Sequence, residues 1–188
     1  MIAYPPPMND AERWNDKYSS GRWNQNSDCD AFVIKALDEL GEAEGRSALD
    51  LASGPGRHAL ELAERGWQTS AWDVSPVGLD LLRDRTAQAG LEIARRVIDL
   101  STEFDSITET FDLIVVVNYL DRDLFARLSA LLRPSGHLVL TTFTKEHGRG
   151  HPSPRHCLEP GELARGIPGM TTVLCEEQGG RAGLFAKL

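Results

Sequence analysis

Hydrophobic positions along the chain change period in a regular rhythm, and each change predicts an element. Asn9 followed by Glu12 reads as a capping box, and Trp14 and Tyr18 then share one face at i, i+4, which predicts a short first helix. Asp28 or Asp30 can cap a second helix, whose Val33, Ile34, Leu37 and Leu40 recur at helical spacing before Gly41. From Ala48 the pattern alternates. Ala48 to Leu51 predicts a strand, and Ala59, Leu62 and Ala63 a helix that stops at Gly66. Trp67 to Trp72 predicts a second strand, and Ser75-Pro76 caps a helix running to about Ala89 and Gly90. Ile93 to Ile98 is a weaker third strand, and Phe111 to Val117 is a fourth, apolar enough to be buried on both faces. Leu124, Leu128, Leu131 and Leu132 predict a helix that Asp121 caps and Pro134 ends, before a fifth strand from His137 to Phe143.

Strands alternating with helices predict an α/β domain with a parallel sheet covered on both faces. Ligands bind such sheets at the carboxyl ends of the strands, near the point where strand order reverses. The residues to inspect are therefore Asp50 to Arg57, Asp73, Asp99, Asn118 and the segment from Thr144 onward. Gly54 and Gly56 allow a ligand to approach the backbone between a strand and a helix N-terminus. Gly54-x-Gly56-x-x-Ala59, with Asp73 about twenty residues on, also satisfies the dinucleotide fingerprint, so these residues alone leave a nicotinamide cofactor open.

An acid inside the end of the first strand, Asp50, separates the readings. Leu49-Asp50-Leu51-Ala52-Ser53-Gly54-Pro55-Gly56 resembles the first motif of the class I S-adenosylmethionine-dependent methyltransferases, with Ala52 where the first glycine usually falls. Trp72-Asp73-Val74-Ser75 is similar to that family's acidic second-strand end, Ile98-Asp99-Leu100 to its third-strand acid, and Phe111 to Asn118 to its fourth motif. Leu131 to Leu140 resembles its fifth, with Ser135 replacing a glycine. The resemblance implies a Rossmann-like, doubly wound, mostly parallel seven-stranded sheet with an antiparallel last strand. Its last two strands would be Met170 to Glu176 and Arg181 to Lys187. It further implies S-adenosylmethionine as cofactor, held by Asp50, Ala52, Ser53, Gly54, Gly56, Arg57, Asp73, Val74, Asp99, Leu100 and Asn118. The ribose would go to Asp73 and the adenine edge to Asp99.

The flanks narrow the resemblance. Trp14-Asn15-Asp16-Lys17-Tyr18 and Leu158-Glu159-Pro160-Gly161-Glu162-Leu163 are similar to segments of the tellurite-resistance and thiopurine-type small methyltransferases. This implies a helical cap in which Trp14, Tyr18 or Trp23 touches the cofactor. The organisation expected is one domain, with a cap over 1–45, a cofactor core over 46–143, a substrate-side loop over 144–169 and two strands over 170–188. Within that loop, Lys145 to Leu158 holds His147, His151 and His156 and is basic, which points to a small anionic or polar acceptor. Arg149 and Arg155 are its candidate substrate contacts, and His147 is the candidate base if the acceptor needs one. The spacing of these histidines with Cys157 matches no standard zinc set, so no metal is expected.

Composition bounds the partners. The 188 residues carry a formal net charge of −8, which argues against a general nucleic-acid binder. The longest apolar run, Leu113 to Val117, is far short of the roughly 20 residues that span a bilayer. Met1 to Asp10 lacks the basic start and apolar stretch of a secretory signal, and three widely spaced cysteines suit reduced thiols. A cytoplasmic monomer or weak dimer acting on a small molecule is the expectation. The rivals are a non-catalytic cofactor-binding regulatory module and an NAD-dependent oxidoreductase.

Overall fold

The computed structural model describes residues 9–21, 28–43, 45–148, 150 and 152–188. Trp23, Arg149 and His151 lie outside the described residues. Two helices, α1 (Asp10–Ser19) and α2 (Ala31–Leu40), precede β1 (Ser47–Leu51), α3 (Arg57–Glu64), β2 (Gln68–Asp73), α4 (Pro76–Ala89) and β3 (Ala94–Val97). Then follow α5 (Leu100–Glu103), β4 (Phe111–Val117), α6 (Arg122–Phe125), β5 (Leu132–Phe143), β6 (Thr171–Gln178) and β7 (Arg181–Lys187). The strands form one sheet in the order β3-β2-β1-β4-β5-β7-β6. Strands β1 to β5 are parallel to one another, and β7 runs antiparallel to both β5 and β6. This is the mixed seven-stranded, Rossmann-like sheet that the resemblance implies.

The predicted caps are in place. Asn9 and Glu12 close a reciprocal capping box on α1. Asp30, rather than Asp28, caps α2 by accepting from the Phe32 N–H, and Ser75 caps α4 with Pro76 in the first turn. Strand β4 divides its side chains between two cores. Leu113, Val115 and Val117 join Val33 and Leu37 of α2 on one face, while Ile114 and Val116 join Leu124, Phe125 and Leu128 on the other. That two-sided burial is why the strand reads as a continuous apolar run.

The predicted helix from Asp121 to Pro134 is corrected. Asp121 caps only the four-residue α6, and a single 3-10 turn follows at Leu128–Leu131. Leu132 already pairs with Phe111 of β4, and the register resumes only at Leu113 with His137. The intervening bulge holds Pro134 and Ser135, the latter at φ 65°, and Arg133 ties it down through the Asp112 carboxylate at 2.7 Å. All four leucines face one core cluster, so their periodicity reported direction rather than a continuous helix.

Candidate active site

Strand order reverses between β1 and β4, and a cavity of about 660 Å³ opens at their carboxyl ends. One wall is the turn after β1. Ala52, Ser53, Gly54, Gly56 and Arg57 line it. Gly56 is the N-cap of α3 at φ 73°, with no side-chain cap, so the helix start faces the cavity as backbone N–H groups. A Cβ on Gly56 would fall 2.4 Å from Leu82 Cδ1, which is why only glycine fits. Ala52 adopts φ 56°, the left-handed region that costs a residue with a Cβ about 1–2 kcal/mol. The missing glycine of the motif therefore leaves strain, not a different turn.

Asp50 is placed beneath this wall rather than on it. It is 1% exposed, and its carboxylate accepts from the Ala59 N–H at 2.9 Å, which ties β1 to the first turn of α3. Burial, with the Asp73 charge adding to it, pushes its pKa up to about 7 despite that bond. Asp50 is thus a support for the glycine turn, and its expected contact with the cofactor is not part of this cavity.

Asp73 and Asp99 continue the lining beyond the glycine turn, with Val74 and Leu100. Asp73 accepts from the Gly54 N–H at 2.7 Å and the Ser75 N–H at 2.8 Å, one on each carboxylate oxygen. A carboxylate offers about four acceptor positions, so two remain for paired hydroxyls. Burial raises its pKa against the pull of these two bonds. Asp99 caps α5, taking the Ser101 N–H and hydroxyl on Oδ1. The acids serve as turn or cap residues and cavity residues at once.

Helix α1 roofs the site. Trp14 and Tyr18 stack with centroids 5.5 Å apart, and both line the cavity. Tyr18 lies over the glycines, since a Cβ on Gly54 would come within 2.5 Å of its Oη and one on Gly78 within 3.0 Å of its ring. A Ser75 hydroxyl bond to Asn15 Oδ1 at 2.6 Å holds α1 on α4. Burial and the nearby Asp73 and Asp50 carboxylates push the Tyr18 phenol far above its usual range.

Asn118, at the end of β4, lines the near side with Tyr119 and His58. His58 is 4% exposed and accepts from Arg57 Nε at 3.1 Å. Burial, then the Arg57 and Arg181 charges, push its pKa down to about 3, so the imidazole is neutral. The phenol of Tyr119 is pushed up to about 12 by burial and surrounding carboxylates.

None of the described residues of the segment Lys145 to Leu158 lines the cavity. The segment is pinned to the end of β5 by Lys145 N–H to Leu158 O and Leu158 N–H to Phe143 O, both 2.9 Å, with Leu158 fully buried. His147 packs edge-on to Phe143, ring centroids 5.5 Å apart, and Arg155 bonds His156 at 3.0 Å. Neither is among the lining residues, whereas Lys17, Arg85 and Tyr119 line the cavity without being expected. Lys17 is on the cap helix and Tyr119 lies just past the end of β4, whereas Arg85 is inside α4, where nothing in the sequence signals it. Among the described residues no group of three or more His, Cys, Asp or Glu is placed to hold a metal, and none of the helices is long and apolar enough to cross a membrane.

A family described as a methyltransferase domain matches residues 48–136, the run from β1 into β5. A ubiquinone biosynthesis O-methyltransferase of Alkalilimnicola ehrlichii is 30% identical over 111 residues, 56% of this chain. The chain covers only 45% of that relative's length. Among solved structures, TehB from Haemophilus influenzae superposes with a TM-score of 0.71 at 17% identity, over 92% of this chain and 66% of its own. Magnesium protoporphyrin IX methyltransferase from Synechocystis PCC 6803, with bound S-adenosylmethionine, gives 0.68 at 14% identity over 98% and 99%.

Proposed function

We propose that this chain, which belongs to the class I S-adenosylmethionine-dependent methyltransferases, moves a methyl group to a small molecule through a thiol or oxyanion. The observation that carries the reading is one cavity lined by the glycine turn, Asp73 and Asp99. Its volume lies in the roughly 300–1,000 Å³ range of small-molecule sites. The residues fit the cofactor. The N-terminal N–H groups of α3 suit a carboxylate, the two remaining acceptor positions of Asp73 suit vicinal hydroxyls, and Asp99 suits an exocyclic amine. When bound, the cofactor supplies a methyl group on a positively charged sulfur, which is already an activated electrophile.

The protein's share is then to hold two partners in line and keep water out. Tyr18, over Gly54 and Gly78, closes the roof above the glycine turn. The cavity's imidazole and phenols are poor proton acceptors at neutral pH. His58 is too weak a base with its pKa near 3, and the Tyr18 and Tyr119 phenols hold their protons. That supports an acceptor with a lone pair already available, such as a thiolate, an oxyanion or an acidic phenol. The curated relative's name, an O-methyltransferase, is consistent with the oxygen branch.

The test is incubation with methyl-labelled S-adenosylmethionine and a panel of small thiols, acidic phenols and inorganic oxyanions, following label transfer. Transfer to members of the panel, and none to aliphatic alcohols or amines of equal size, is the expected result. Cofactor binding with no transfer to any of them would favour the regulatory-module reading.

A further inference from the structure

One side-chain network reaches the cavity from outside the motifs. Arg181, the first residue of β7, donates from Nη1 to Asn118 Oδ1 at 3.0 Å and from Nη2 to Asp30 Oδ2 at 2.7 Å and Thr141 Oγ1 at 3.2 Å. Its guanidinium lies 4.6 Å from the centre of the Phe143 ring. Residues from the α2 cap, β4, β5 and β7 therefore converge on one guanidinium at the carboxyl ends of the strands.

The consequence falls on Asn118. A guanidinium has only donors, so the atom facing it must be the carboxamide oxygen, and the nitrogen with its two hydrogens is left on the other side. The backbone is fixed too. Asn118 N–H donates to Thr141 O at 2.9 Å, and the residue is held at φ 58°. Among the described residues three non-glycines have positive φ, Ala52, Asn118 and Ser135, and the first two both line the cavity. Such strain persists where surrounding contacts over-determine it, as the Arg181 network does here.

We infer that Asn118 receives the methyl acceptor, donating a hydrogen bond from its carboxamide nitrogen, and that Arg181 is the positioning residue that keeps this nitrogen toward the cavity. The inference rests on the methyltransferase reading and deepens it. A cavity that offers a fixed donor backed by Arg181, with Arg57 elsewhere in its lining, selects an acceptor whose nucleophilic or neighbouring oxygen or sulfur is anionic. Asp30 anchors the guanidinium, and its side chain is only 14% exposed, so the pair is better ordered than an exposed surface bridge.

The test uses the full chain, saturated with S-adenosylmethionine for turnover and with S-adenosylhomocysteine for binding, and three probes of the stated chemistry: 4-mercaptobenzoate, 3,4-dihydroxybenzoate and selenite. Asn118→Asp keeps an oxygen toward Arg181 and removes the donor. It should raise the KM of any probe that is methylated by roughly 10-fold or more, the scale of a lost hydrogen bond to a charged group. Arg181→Lys should give a smaller rise in KM, and Arg181→Met a rise like that of Asn118→Asp. In parallel, the Asn118 side-chain NH2 signals, assigned by their loss in Asn118→Asp, should shift when a probe is added. Failure of S-adenosylhomocysteine to bind would overturn the methyltransferase reading itself. Binding with no shift and no methylation by any probe, or a KM that ignores both residues, overturns the inference alone.

Discussion

The two ends of the cavity are built by different means. At the Asp73 and Asp99 end, each functional residue sits at the close of its own strand, and its partners lie in the turns that follow neighbouring strands: Ser75 and Gly54 for Asp73, Ser101 for Asp99. At the Asn118 end, the guanidinium that orients the site comes from 63 residues away and its anchoring carboxylate lies 151 residues from it. Local geometry makes the first end a consequence of the βα turn, which many sequences can form. The second exists only when the whole sheet, including the antiparallel β7, is assembled. The account therefore assigns cofactor binding to the first end and choice of acceptor to the second.

The sharpest break of this comparison is Asp73→Asn. The amide turns an acceptor into a donor facing the N–H of Gly54 or Ser75, and it removes an acceptor from the hydroxyl side. Calorimetry should show S-adenosylhomocysteine affinity falling about 100-fold or more, with stability lower by about 3 kcal/mol from two compromised charge-assisted bonds. An unchanged affinity would detach Asp73 from the cofactor.

A smaller effect separates the buried groups by pH. Asp50 is raised in the fold, so its contribution to stability is full below its unfolded value near 3.8 and is lost as pH rises through about 7. His58 is lowered, so its contribution is full above 6.5 and is lost as pH falls toward 3. The two slopes oppose one another across the same window. Denaturant melts should show Asp50→Asn steepening the gain in stability between pH 4 and 6.5, and His58→Gln exposing a fall toward pH 7. The changes should be roughly 1 kcal/mol per pH unit, and parallel profiles for wild type and both variants would remove these assignments.

The first end is legible because a strand, a turn and an acid are contiguous, which marks Asp50, Gly54, Asp73 and Asp99 as strand-end residues in the sequence. Even there one role was misplaced, since spacing cannot say whether an acid at a strand end points up to the ligand or down to the helix, and Asp50 points down to Ala59. Nothing in the sequence links Asp30 to Arg181. The basic segment Lys145 to Leu158 stands out by composition, yet backbone bonds tie its two ends to the end of β5, and none of its described residues lines the cavity. Leu132 was read as helical because its partner, Phe111, is chosen by the sheet rather than by its neighbours.

The smallest effects lie in the backbone. Ala52→Gly relieves a left-handed residue at the cofactor end and should stabilise the protein by about 1 kcal/mol with turnover retained. Asn118→Gly gains similar relief at the acceptor end, gives it back with the lost Arg181 bond, and should lose acceptor turnover. Equal behaviour of the two variants in turnover would erase the distinction between the ends.

The most direct measurement is thermal unfolding with S-adenosylmethionine, S-adenosylhomocysteine and NAD in parallel, from micromolar to millimolar ligand. At about 100 times the dissociation constant a ligand adds roughly 2.7 kcal/mol, which for a chain of this length raises the midpoint by roughly 5 to 10 °C. The account predicts that rise for the first two ligands and none for NAD. A rise with NAD alone, or none with any of the three, contradicts it.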